Sequence, residues 1–334
     1  NPNSTMTEQL KLKLNDSKTT RWGALVIVAF TMMAAYYVND VVAPLKTMLE
    51  TDLAWSSTDF GFFTGGYSFL NVFFLMLIWG GLILDRFGIR FTGKLATILM
   101  VGGTALEYYA MTGLAGADAT LFGINEIFGY KTGVFVAFAG YSIFGVGAEV
   151  AGITVSKIIA KWFKGKELAT AMGVQVALAR IGSQAGYAVA IPLARAFGIS
   201  TPVLLGLVLL LGGMIAFFIF AVMDKKLDKQ MEAAAIAAGT EDEEEKFSFK
   251  DVKNILVNPG FWLIALLCVL FYSCVFPFQK FASELMIIKY GINENVAGTF
   301  AGLPALGALI LTPVFGGFID KRGKSASIML PGSA

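Results

Sequence analysis

The chain has 334 residues, 56% of them hydrophobic and 15% charged, with 26 Lys and Arg against 24 Asp and Glu. Soluble domains hold about 45–50% apolar and about 25% charged residues, so a chain this apolar could not cover its own surface in water. A net charge of +2 gives no nucleic-acid footprint, and the absence of histidine excludes imidazole metal sites and histidine proton relays.

Apolar runs of roughly 20 residues, the length that crosses a bilayer, recur throughout. They predict eight complete spans: Trp22–Leu45, Phe60–Leu84, Phe91–Gly113, Thr132–Lys157, Leu168–Leu193, Pro202–Met223, Phe261–Ala282 and Val296–Ile319. A ninth begins near Ser325. The first run is too long for a cleavable signal and lacks a small-residue cleavage site.

Basic residues alternate between the two ends of these spans. Lys11, Lys13, Lys18 and Arg21 precede the first. "DRFGIRFTGK", "KIIAKWFKGKE", the segment after span six and "DKRGK" fall on the same side. Lys46, Lys131, Arg195 and Lys289 fall on the other, among acids. The positive-inside rule therefore puts the N-terminus in the cytoplasm. The expected organisation is a cytoplasmic segment (1–21), a six-helix bundle (22–223), a charged cytoplasmic linker (224–258) and the first part of a second bundle (259–334). Within the linker, "DKKLDKQMEAAAIAAG" could form an amphipathic surface helix. Cys268 and Cys274 point about 240° apart on one helix, so they read as small core residues rather than a disulfide.

One loop occurs twice. "GLILDRFGIR" (81–90) follows span two and "GGFIDKRGKS" (316–325) follows span eight, each with Gly four residues before Asp, a basic residue after it and Gly three beyond. Both close the second span of a half, so the halves read as parallel six-helix repeats. Eight spans and a stub are two-thirds of twelve. The repeated loop resembles the G-x-x-x-D-[RK]-x-G motif of the major facilitator superfamily. That resemblance implies an all-α membrane fold of two parallel six-helix bundles. In this motif Gly81 and Gly316 are expected to permit close helix contact, and Asp85 and Asp320 to cap or neutralise a neighbouring helix N-terminus. Arg86 and Arg90 hold the cytoplasmic face, and Gly88, Lys321 and Gly323 complete the gating set.

A narrower resemblance lies in "WFKGKELATAMGVQVALARIGS" (Trp162–Ser183), "GAEVAG", "VFPF" (Val275–Phe278) and "PVFGGFIDKRGK". These are similar to the branch of the superfamily that contains the lysosomal dipeptide uniporter and its bacterial relatives. No lysosomal sorting signal is evident. The arginine that proton-linked drug antiporters place before "GxG" in span four is replaced by apolar residues around Phe144.

Two charges fall near the middle of their spans: Glu149 in "GVGAEVAGI" and Arg180 in "VALARIGSQAGY". A charge at the bilayer centre costs about 2.5–3.5 kcal/mol on insertion scales, so it faces a cavity or a partner. Helical spacing groups Gly145, Glu149, Gly152 and Ser156, and aligns Gly173, Ala177, Arg180, Gln184 and Tyr187. The opposite stripe of span five, Gln175, Ala179, Gly182 and Gly186, suits close helix packing. The two charges admit a structural ion pair, a proton relay through Glu149, or a zwitterion site. In the last, Arg180 takes a carboxylate through its planar fork and Glu149 takes an ammonium. The resemblance favours the zwitterion site, since that branch uses an acid and an arginine at these places.

Asp40, with Tyr36 one turn away, is a candidate for the pathway or for the membrane interface. Tyr67 and Asn71 share a face of span two and read as pocket walls. Lys280 and Glu284, one turn apart, read as a snorkelling, mutually paired couple, and Glu107 has no assigned role. No nucleophile–base pair, metal cluster or phosphate loop argues for an enzyme, and no cofactor is implied. The expected function is a transporter of small peptides, dipeptides foremost, working by alternating access; the alternative is a proton-coupled carrier of organic anions or amino acids. A non-transporting scaffold or receptor ranks below both. The expected partners are a dipeptide or other small zwitterion and the lipid bilayer. An accessory membrane subunit is compatible with the sequence and not readable from it. The expected location is a bacterial inner membrane, with the lysosomal membrane as alternative.

Overall fold

The computed structural model describes residues 14–115, 119–238 and 256–311. Among them the chain is almost entirely helical. α1 spans Lys18–Val41, followed by a short 3-10 turn at Ala43–Leu45 and α2 at Lys46–Asp52. α3 is Ser57–Phe73 and α4 is Met76–Thr112. A small hairpin, β1 (Glu126–Ile127) with β2 (Tyr130–Lys131), leads into α5, Thr132–Trp162. α6 is Leu168–Phe197, α7 Thr201–Ala238, α8 Pro259–Tyr290 and α9 Glu294–Ala301. Among the described residues, five helices are long and apolar enough to cross a membrane, or six if the bent pair α3 and α4 counts as one span.

Local chemistry fixes many of the boundaries. Ser17 caps α1 by accepting from the Thr20 amide, and Ser56 with Asp59 forms a reciprocal capping box at α3; each satisfies amides that the first turn leaves free. Asn258 caps α8, with Pro259 in the first turn where a missing N–H does no harm. Gly291 ends the same helix in the left-handed conformation.

The helices assemble around small residues. α1 packs against α6 and α7, and α4 against α5. A Cβ at Gly182 would strike the Met33 carbonyl, and one at Gly186 would lie 2.9 Å from the Tyr37 carbonyl. The small-residue stripe expected on span five is thus the surface that seats α1. The second half of the chain meets the first through α8, which lies on the Ala43–Leu45 turn, and through α9, which packs on α6.

Several expectations change. Span two is two helices, broken at Leu75 (φ 51) and bent by 58°; no glycine or proline marks that break. The loop expected after span two is instead a single interruption of α4 at Gly88, with φ 74 and ψ 173. These angles cost glycine little because it has no Cβ, so helix resumes on both sides. α7 runs through Met223 to Ala238, so the first part of the segment read as a linker continues the span-six helix. Cys268 and Cys274 are free, as expected, but exposed rather than in the core. The last expected span is described only to residue 311 and turns at Gly302.

Gly182→Ala should destabilise the fold by about 1–3 kcal/mol, because a methyl group has no room beside the α1 backbone. Gly173, on the same helix, has nothing within 4 Å of its Cβ position. Gly173→Ala should be neutral or stabilising by up to about 1 kcal/mol. Thermal melts of the two variants in detergent check the contrast.

Candidate functional site

The central charges do not pair with each other among the described residues. Glu149 on α5 accepts a 2.8 Å hydrogen bond from the Tyr67 hydroxyl of α3. The Arg180 guanidinium on α6 sits 5.6 Å from the centroid of the Tyr36 ring on α1, where the ring's quadrupole attracts a cation. Tyr36 lies within electrostatic reach of Arg180, Glu149 and Asp40. Four helices therefore place two acids, one base and a second phenol around Tyr36, and among the described residues Arg180 forms no ion pair.

A cavity of about 40 Å³ opens beside this centre. It is lined by Tyr36, Asn39, Asp40, Arg180, Ser183 and Tyr187 from the first half, and by Phe276 and Gln279 of α8 among others. Of the residues singled out in sequence, Tyr36, Asp40, Arg180 and Tyr187 line it together. Tyr67 and Glu149 form a separate pair outside its lining. Asn71 donates to the Tyr67 carbonyl one turn back, at 3.1 Å, and is not a wall of the cavity. Gln184 faces Gly302 instead, its side-chain oxygen lying where a Cβ there would go. Asn39, Ser183 and Gln279 were missed, because neutral polar residues in an apolar run carry no distinguishing signal.

The end of the bundle away from the N-terminus is closed by side chains that cross between the halves. Lys280 of α8 donates to the Asn39 carbonyl at 2.5 Å and to the Tyr141 hydroxyl at 3.1 Å, with Asp40 at 3.8 Å. Lys46 lies between Glu50 at 2.7 Å and Glu284 at 2.5 Å. Arg195 pairs with Glu294 and donates to Asn295 at 2.8 Å. The Tyr187 hydroxyl donates to the Gln279 carbonyl at 3.1 Å. The expected Lys280–Glu284 couple does not form: each residue reaches into the first half, where fixed partners replace the water that snorkelling would seek.

At the N-terminal end the ion pairs among the described residues lie within the first half. Asp85 pairs with Lys157 at 2.9 Å rather than capping a helix. Arg90 reaches Asp228 at 2.9 Å and Asp224 at 3.8 Å. Lys161 bridges the same two acids, at 2.8 Å to Asp224 and 2.5 Å to Asp228, and the Trp162 indole donates to Asp224 at 3.0 Å. Arg86 stacks beside the Phe87 ring, 5.5 Å from its centroid. Gly81 has nothing within 4 Å of its Cβ position; the close contact expected there belongs to Gly80, which meets Val150 of α5 at 2.6 Å. Spacing alone does not tell which of two adjacent glycines faces the neighbour. Gly316, Asp320, Lys321 and Gly323 lie outside the described residues. Nearby, Arg21 and the Trp22 indole donate to Glu167 at 3.0 and 3.1 Å. Those bonds hold the Glu167 carboxyl below the usual carboxylate range.

Residues 25–334 match the family described as Major Facilitator Superfamily. The chain belongs to that superfamily. It is also 27% identical, over 315 residues, to the lysosomal dipeptide transporter MFSD1 of Pongo abelii and to that of Homo sapiens. Each alignment covers 90% of this chain and 61% of the relative. The Gallus gallus protein of the same name is 32% identical over 199 residues, covering 56% of this chain and 43% of the relative. The chain thus spans about 61% of the length of the first two relatives. Membership makes it an integral membrane protein of the transporter class, and the twice-repeated loop is what announced the superfamily in sequence.

Asp224 is fully buried and shared by Lys161, Trp162 and Arg90, whereas Asp228 is 39% exposed. Asp224→Ala leaves the buried Trp162 indole without its acceptor, while Lys161 and Arg90 keep Asp228, and should cost about 1–3 kcal/mol. Asp228→Ala should cost about 1 kcal/mol or less, as exposed pairs do. Chemical or thermal unfolding in detergent checks the ranking.

Proposed function

We propose that this superfamily member moves dipeptides across a membrane by alternating access, with Arg180 binding the substrate carboxylate and Glu149 its ammonium. The observation that carries the reading is that these two opposite charges stand on different helices around Tyr36, each held by a tyrosine rather than by the other. Two unpaired opposite charges facing one centre match a molecule with oppositely charged ends. In a single amino acid both ends share one carbon; an added residue extends the reach by about 3.3–3.6 Å, enough for each end to find its own helix. The names of the relatives support the same substrate class.

The chain is read as eight spans with a cytoplasmic N-terminus, in a two-bundle transporter that rocks about a midplane site. The paired loops at Asp85 and Asp320 are its cytoplasmic gates, and the end closed by Lys46 and Lys280 faces outward. A 40 Å³ cavity holds about one water molecule, so substrate enters only when a mouth opens. A second reading has one observation in its favour. Arg180 lines the cavity and Glu149 does not, which suits a carrier of organic anions as well as of zwitterions.

Competition by free and end-capped dipeptides distinguishes the two. Leaving a buried charge unmatched costs on the order of 1–3 kcal/mol, so N-acetyl and C-amide dipeptides should compete about tenfold or more weakly than free ones. Arg180→Lys should not restore transport lost in Arg180→Ala, because an ammonium lacks the bidentate fork. N-acetylated peptides competing as well as free ones, with C-amides still weak, would favour the organic-anion reading.

A further inference from the structure

α4 and α7 pack side by side, seated where a Cβ at Gly93 would strike the Phe217 ring. Beside that contact the two helices present a shared outer face. Helical spacing puts Phe91, Lys94 and Ile98 on it from α4, and Leu211, Phe218 and Val222 from α7. The apolar members are all exposed, from 38% at Leu211 to 59% at Val222. The described helices of the second half dock elsewhere, on the Ala43–Leu45 turn and on α6. In a membrane protein such a face meets acyl chains. Lys94 breaks the pattern. Its ammonium lies 5.1 Å from the centroid of the Phe218 ring. The ring attracts the charge but supplies no oxygen, and among the described residues Lys94 has neither an ion pair nor a hydrogen bond.

A cation among apolar side chains needs an anion or a path to water. The acids at this end are already held: Asp224 and Asp228 by Arg90 and Lys161, and Asp85 by Lys157. Lys225 of α7 is exposed and also has no ion pair among the described residues. It stands on the same face as Phe218, two turns and about 10 Å further along the axis. Two lysines on adjacent helices thus bracket the level at which the apolar stripe gives way to charge. The anion that a bilayer supplies at that level is a lipid phosphate. We propose that this face binds an anionic phospholipid of the leaflet at the N-terminal end. Its phosphate is held between Lys94 and Lys225, and its acyl chains run inward along Phe218, Ile98 and Leu211. A free phosphate would leave those three side chains uncovered, so the occupant is a lipid. A zwitterionic lipid carries its own cation, which offsets the lysines, whereas an anionic one brings net negative charge to both. The contact lies one turn from Arg90 and its bond to Asp228, so the lipid braces α4 against α7 where ion pairs already join them. The inference does not depend on which substrate is carried.

The test is native mass spectrometry of the delipidated full-length protein in detergent. It is titrated with phosphatidylglycerol and with phosphatidylcholine of the same acyl chains. Each lysine near an anionic headgroup contributes about 1 kcal/mol, about fivefold in affinity, so the first phosphatidylglycerol should bind about tenfold or more tightly than phosphatidylcholine. Lys94→Gln and Lys225→Gln should each weaken phosphatidylglycerol about fivefold and leave phosphatidylcholine unchanged. The double variant should bind the two lipids alike, and Lys94→Arg should keep the preference. Lys164→Gln removes another exposed lysine, in the loop between α5 and α6, and should change neither affinity. Glycerophosphoglycerol, the headgroup without its acyl chains, should not displace the lipid. If Lys94→Gln fails to fold, Lys225→Gln against Lys164→Gln still decides the matter. Equal binding of the two lipids by the unmodified protein, or a preference that survives in the double variant, would overturn the site. So would an equal loss in Lys164→Gln, which would mean diffuse charge attraction. Displacement by glycerophosphoglycerol would overturn the lipid as occupant.

Discussion

A charge carried into hydrocarbon must find a partner, and in this chain the partner almost always comes from another helix. Apolar side chains cannot decide which helices meet, since lipid tails are as apolar as leucine. The buried polar groups can. Glu149 ties α5 to α3 through Tyr67, and Arg180 ties α6 to α1 through Tyr36. Asp224 joins α7 to α5 and α4, and Lys280 joins α8 to α1 and α5. Small residues such as Gly182 and Gly186 then let backbones approach closely enough for those bonds to form.

These bonds are unevenly distributed between the two ends of the bundle. Among the described residues, the ion pairs that cross between the halves are Lys46–Glu284, Lys280–Asp40 and Arg195–Glu294, all at the end away from the N-terminus. The pairs at the other end, Arg21–Glu167, Asp85–Lys157 and Lys161–Asp224, lie within the first half. Among the described residues the second half is therefore cross-linked to the first at that end, and the pairs at the other end brace the first half.

Much of this was legible in the sequence. Apolar length located the long helices, and small-residue spacing on span five identified the face that receives α1. Glu149 and Arg180 stood out because few other charges fall inside the apolar runs. What was not legible depends on side-chain direction or on context beyond the local pattern. The Gly80–Gly81 pair is symmetric in sequence, and only the rotation of α4 decides that Gly80 meets Val150. The break at Leu75 sits in "VFFLMLIWGG", which looks like uninterrupted span. Lys280 and Glu284 look like partners because they are one turn apart; stronger partners lie more than 200 residues away. Glu107 looks peripheral by position and is buried by the crossing of α4 and α5.

The continuation of α7 beyond Met223 has a consequence for how the halves are tethered. At about 1.5 Å per residue, a helix of 38 residues is about 57 Å long, against a hydrocarbon core of about 30 Å. Asp224 and Asp228 clamp it to α4 and α5 where it leaves the bundle, so what emerges is a stiff rod rather than a coil. Proteases bind extended backbone, and a helical 224–238 withholds it. A nicking enzyme that reaches the charged segment between the halves should spare those residues despite their lysines.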